Sequence, residues 1–175
     1  MNEQRVLQNI EDWVRAELEY EKFLKRAVEL AEDGLNSGNQ PFGSLLVDRA
    51  GNILFEDHNR DNTENPTAHP ELAISRWAAR NLSEEERREA VVYTSGEHCP
   101  MCSTSHALVG LGKIVYVSSS AQLSEWLSEL GVEPASYSVK SIQEMIPGAD
   151  VEGPHEKFSQ QVKALHERYH TKNKE

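Results

Sequence analysis

Apolar positions recur at helical spacing over residues 17 to 36, where Leu24, Ala27, Val28 and Ala31 share one face; this predicts a helix that ends near Gly34. Asn36, Ser37, Gly38 and Asn39 then read as a turn. The period next shortens to that of extended chain. Ser44 to Asp48 and Ile53 to Phe55 flank the turn at Ala50, Gly51 and Asn52, which predicts a hairpin. The polar run from Asp57 to Thr67 reads as a loop, and helical spacing returns over 70–81 with Leu72, Ala73, Ile74 and Trp77.

The alternation continues in the second half. Ala90 to Thr94 predicts a buried strand, Pro100 to Leu111 a helix, and Lys113 to Val117 a further strand. A helix follows over 121–130, then a short strand around Ser136 to Val139 and a final amphipathic helix over 154–170 with a charged tail to 175. Residues 1–16 form a charged amphipathic segment, expected to be an extra helix or an oligomer contact. The expectation is one domain over 1–175, an α/β fold in which a central mixed sheet of about five strands lies between two helical layers.

Composition narrows the class. The 38% hydrophobic and 27% charged content is that of a globular chain. No apolar run approaches the roughly 18 residues that cross a bilayer, and the acidic start lacks a leader pattern, so a cytoplasmic, membrane-free protein is expected. A reducing compartment also suits two cysteines that stay free. The net charge of −11 disfavours a nucleic-acid partner, since Arg87 and Arg88 sit among Glu84, Glu85, Glu86 and Glu89. A small neutral substrate is favoured.

The chemistry concentrates in two segments. His69, Pro70 and Glu71 precede Cys99, Pro100, Met101 and Cys102, which contain the chain's only two cysteines. Two thiolates and one imidazole make three ligands for Zn2+ with a position left for water, and Glu71 stands two residues from the imidazole as a proton carrier. If the two helices that begin at these segments lie side by side, their N-terminal ends converge and their dipoles favour thiolates.

The order H-x-E followed by P-C-x-x-C resembles the zinc nucleobase deaminases of the cytidine deaminase superfamily, nearest the guanine deaminase and tRNA adenosine deaminase branch. Pro41-Phe42-Gly43, Asn59, Pro66 to His69 and Tyr93 to Ser95 agree in order, and the resemblance covers roughly residues 20 to 118. His98 departs from the family's usual proline, and Pro70 from its alanine. The resemblance implies a cytidine deaminase-like three-layer α/β/α sandwich and hydrolytic release of ammonia from a free nucleobase or amino-heterocycle of guanine, isocytosine or aminotriazine type. It implies Glu71 as catalytic residue, His69, Cys99 and Cys102 as metal ligands, Asn59, Phe42 and Ala68 as substrate contacts, and a homodimer.

Other readings stand beside this one. A tRNA adenosine deaminase shares the motif order. A redox C-x-x-C pair leaves H-x-E without a role. A structural zinc protein needs a fourth ligand, for which His98 or His106 is available, and leaves Glu71 without a task. His58, His155, His166 and His170 are read as surface residues, and Trp13, Trp77 and Trp126 as packing. The last helix is a candidate to close over the pocket, carrying Phe158 or Tyr169 toward it.

Overall fold

The computed structural model describes residues 3–172; the start of the segment expected over 1–16 and the end of the charged tail, residues 1–2 and 173–175, lie outside the described residues. The described part opens with α1, Glu3–Asn36, a single helix of 34 residues. From residue 3 the extra helix expected over 1–16 is therefore continuous with the helix expected from 17, because Arg15, Ala16, Glu17 and Leu18 are good helix formers and no Gly or Pro interrupts them.

A short turn leads to β1, Gly43–Val47, and β2, Ile53–His58. The hairpin is longer than its apolar residues indicate. Glu56, Asp57 and His58 pair with Leu45, Ser44 and Gly43, and β2 is an edge strand, where polar residues can face solvent. Helix α2, Pro70–Asn81, starts on a proline already shaped for a first turn. Helix α3, Glu84–Glu89, was not anticipated from periodicity; Ser83 and Glu86 form a reciprocal capping box that starts it.

Then come β3, Val91–Gly96; α4, Pro100–Val109; and β4, Ile114–Ser118. Gly110 ends α4 in the left-handed region at φ 73°, where a side chain would be strained. Helix α5, Ser120–Glu129, is followed by α6, Ile142–Met145, β5, Val151–Glu152, and α7, Glu156–Lys172. The strand expected at Ser136 to Val139 does not form. Tyr137 and Val139 are exposed there, and the edge position beside β4 is taken by β5.

The five strands form one sheet in the order β2-β1-β3-β4-β5. The hairpin and the β1–β3 pair are antiparallel, while β3–β4 and β4–β5 are parallel, so the sheet is mixed as expected. Strand alternation divides the core. Leu45, Val47, Tyr93, Val115 and Val117 meet α1, Trp126 of α5 and Phe158 of α7 on one face. Leu46 and Val92 meet Ile74 and Ala78 of α2, with Leu111, on the other. Helices thus cover both faces. Gly43 permits the close approach of β1 to α1: a Cβ there would lie 2.4 Å from the Ala31 backbone nitrogen.

Candidate active site

Helices α2 and α4 share one sheet face, and their first turns meet at the C-terminal end of β3. His69 is the residue before α2 and Cys99 the residue before α4, while Cys102 lies one turn into α4. The His69 Nδ1 atom is 3.6 Å from each sulfur. A tetrahedral zinc ion with bonds of about 2.3 Å to sulfur and about 2.05 Å to nitrogen sets those atoms near 3.6 Å apart, so the donors present fit the metal. Among the described residues this donor group contains His69, Cys99 and Cys102, and neither His98 nor His106.

Those two histidines belong to a separate buried pair. Their rings meet edge to face at 5.4 Å, and His106 Nε2 lies 2.8 Å from the Gly112 carbonyl. Burial holds both imidazoles below their ordinary pKa. The extra imidazole beside Cys99 is thus turned into protein rather than toward the ligand cluster.

The thiols are strongly polarised. A hydrogen bond from Cys102, followed by one from His69, brings the Cys99 pKa down to about 4 against the opposing effect of burial. Cys102 moves upward through its bond to Cys99 and through burial. The His69 pKa is raised, first by its contact with Cys99. A dication at this point neutralises the charge that the two sulfurs accumulate.

Glu71 enters from the first turn of α2 and is buried. Its Oε1 is 2.7 Å from Ser44 Oγ and 2.9 Å from Thr94 Oγ1, while Oε2 is 3.8 Å from the Cys102 sulfur. Ser44 and Thr94 face each other across the β1–β3 pair, 2.8 Å between oxygens. Desolvation raises the Glu71 pKa, with the His69 charge and the Ser44 hydrogen bond acting in opposition. One oxygen is therefore fixed and the other faces the ligand cluster. Sequence reasoning did not find Ser44 and Thr94, because their meeting depends on strand register rather than motif spacing.

The predicted substrate contacts also gather near this end of β3. The Asn59 N–H donates to the Phe42 carbonyl at 2.9 Å, and the Phe42 ring lies over Gly96, 3.2 Å from where a Cβ would stand. Asn59 is buried, and its side-chain oxygen has no protein partner. The Ala68 N–H donates to the Asn65 carbonyl, while its own carbonyl accepts from Arg60, each at 2.9 Å. The Ala68 amide is therefore already engaged.

Two more residues frame the site. Glu97 accepts from Ser120 and Ile142 backbone N–H groups, both at 2.8 Å, and so ties the cysteine loop to the starts of α5 and α6. Tyr137, on the segment between them, has its pKa raised, first by partial burial and then by the charge of Cys99 and Cys102. The C-terminal helix does not bring the expected groups to the pocket: Phe158 is in the core, and the Tyr169 hydroxyl accepts from Asn62 at 2.8 Å. His166, read from sequence as a surface residue, is 1% exposed.

The zinc-binding region of the cytidine and deoxycytidylate deaminases matches residues 18–118, more than half of the chain. The chain belongs to this family. It is 44% identical over 87 residues to a guanine deaminase of Bacillus subtilis, an alignment covering 49% of this chain and 55% of that protein. It is 33% identical over 107 residues to a tRNA-specific adenosine deaminase of Haemophilus influenzae, covering 61% of each. The chain thus spans between half and two thirds of the length of these curated relatives. Among solved structures, the Bacillus subtilis guanine deaminase superposes with a TM-score of 0.52 at 29% identity, covering 73% of this chain and 89% of that one. A guanine deaminase from Nitrosomonas europaea shares the fold with a TM-score of 0.65 at 15% identity, covering 85% and 83%. Within this family the His69, Cys99 and Cys102 cluster is placed to hold zinc.

Proposed function

We propose that this family member hydrolyses the exocyclic C–N bond of a free nucleobase or related amino-heterocycle, of guanine, isocytosine or aminotriazine type, and releases ammonia. The observation that carries this reading is the pairing of a three-donor zinc cluster with a buried carboxylate whose second oxygen faces it. A structural zinc site calls for four protein ligands, and such a site gives Glu71 no task.

His69, Cys99 and Cys102 would hold the zinc, which would supply Lewis acidity that lowers the pKa of a water toward about 7. Glu71 accepts a water proton on Oε2 and delivers it to the ring nitrogen beside the amino-bearing carbon. It then assists protonation of the departing amine. The ring carbon gains a carbonyl oxygen as the C–N bond breaks. Ser44 and Thr94 hold Oε1, so the carboxylate keeps one orientation through both transfers. Asn59 offers a buried acceptor to the base, Phe42 an apolar face, and Ala68 the remaining lone pair of its carbonyl.

The second reading is tRNA adenosine deamination, favoured by the 33% identity to the Haemophilus influenzae enzyme of that name. The acidic charge of −11 weighs against it, because phosphate binding needs a basic surface. We place the protein in the cytoplasm as a single deaminase domain that acts as a homodimer; no helix of the described residues is long and apolar enough to cross a membrane. Ammonia release from a panel of amino-bearing bases, nucleosides and an adenosine-containing tRNA stem-loop separates the two readings. Turnover of a free base supports the first, and turnover of the stem-loop alone replaces it with the second.

A further inference from the structure

The family match starts at residue 18, yet α1 starts at Glu3, so about four helical turns precede the part shared with relatives. Every residue from 4 to 19 is exposed. A helical arm of this length gains little stability from backbone propensity alone and depends on packing of an apolar face. This arm has such a face. Val6, Leu7, Ile10, Trp13, Val14 and Leu18 recur at helical spacing and are 40% to 65% exposed. Arg5, Gln8, Asp12, Arg15 and Glu19 occupy the opposite side. Trp13, expected to serve packing, has no such role within one copy and is the most exposed member of the stripe.

We propose that this arm is a self-association element, in which the stripe packs antiparallel against the same stripe of a second copy of the chain. The exposed fractions of these six side chains amount to roughly 600 Å² per copy, at the upper end for a patch on a monomer. Two copies together exceed the roughly 1,000 Å² that a specific interface requires. Charge bears on the direction. Residues 11–21 carry Glu11, Asp12, Glu17, Glu19 and Glu21 against Arg15, and of these Glu17 lies within the stripe. Parallel packing sets Glu17 beside its own copy at the seam, whereas antiparallel packing over 6–18 sets it beside Leu7 and keeps the two carboxylates apart. The same acidity repels an anionic lipid surface, the other common destination of an amphipathic helix.

The test is the solution mass of the full-length, zinc-loaded protein across a micromolar concentration series, by light scattering and sedimentation, with amide exchange over the arm. Ile10→Asp is expected to halve the mass of the wild-type species and to reduce exchange protection over 6–18 at least tenfold. Gln8→Asp, which adds the same charge to the opposite face, should change neither. Glu17 interrupts the stripe at its centre, so Glu17→Leu should tighten association about tenfold, a gain that misfolding cannot produce. A wild-type monomer, or an Ile10→Asp variant of unchanged mass, overturns the proposal. So does a chain that stays monomeric while anionic vesicles capture it through the arm.

Discussion

Ser44 Oγ stands 2.7 Å from Glu71 Oε1, and this contact joins the first strand to the first turn of α2. It converts a buried carboxylate into an oriented one, since rotation of Glu71 would break the contacts to both Ser44 and Thr94. Ser44→Ala should lower kcat about tenfold, the kinetic equivalent of about 1.4 kcal/mol and of one lost buried hydrogen bond, with KM and zinc content nearly unchanged. Steady-state kinetics alongside metal analysis checks this. A change confined to KM would contradict the orienting role.

Removal of a ligand should separate metal binding from the rest of the fold. His69→Ala or Cys102→Ala is expected to reduce bound zinc from about one per chain to a small fraction and to lower the thermal midpoint, because a ligand bound only by the folded state stabilises it. His98→Ala and His106→Ala should retain zinc, since their rings face each other rather than the donor cluster. Elemental analysis of dialysed protein distinguishes these outcomes.

Asn59 tests the substrate side of the site. Its buried side-chain oxygen has no protein partner, so a base that donates to it gains a hydrogen bond without displacing one. Asn59→Ala should raise KM by roughly 5- to 100-fold, corresponding to about 1–3 kcal/mol, while zinc remains bound. An unchanged KM would remove Asn59 from the pocket.

His166 carries a prediction about acid stability. Burial and the neighbouring charge of His170 hold its pKa at about 3, against an ordinary value near 6.5. Between those values the unfolded chain binds a proton that the folded chain does not, so stability is highest above 6.5 and falls as pH drops toward 3. One such group contributes a slope of up to about 1.4 kcal/mol per pH unit. The buried His98 and His106 act in the same direction, so the diagnostic quantity is a difference. His166→Phe should flatten the slope of urea-unfolding free energy by up to one proton, read between pH 4 and 6.5 relative to wild type.

Much of this arrangement was legible because local and global signals coincide. Helix α2 shows a proline at its first position, helical spacing and a clear end, and its observed span is the expected 70–81. The zinc cluster was legible because its donors stand at the starts of two helices that begin in recognisable motifs. What escaped was non-periodic or non-local. Strand β5 has two residues and α6 has four, too few to display a period. Ser44 and Thr94 meet through strand register across 50 positions. Helix α3 carries a local start signal in the capping-box spacing of Ser83 and Glu86, but its six residues bury none of their side chains and so show no apolar period.

The most direct test of the catalytic reading is ammonia release from the zinc-loaded wild type and its Glu71→Gln variant, measured on free amino-bearing bases with bound zinc determined in the same samples. The account predicts that the variant keeps its zinc and loses at least 1,000-fold in turnover, because the amide cannot accept the water's proton. Comparable turnover by the variant with zinc in place would contradict the role of Glu71 and, with it, the proposed mechanism.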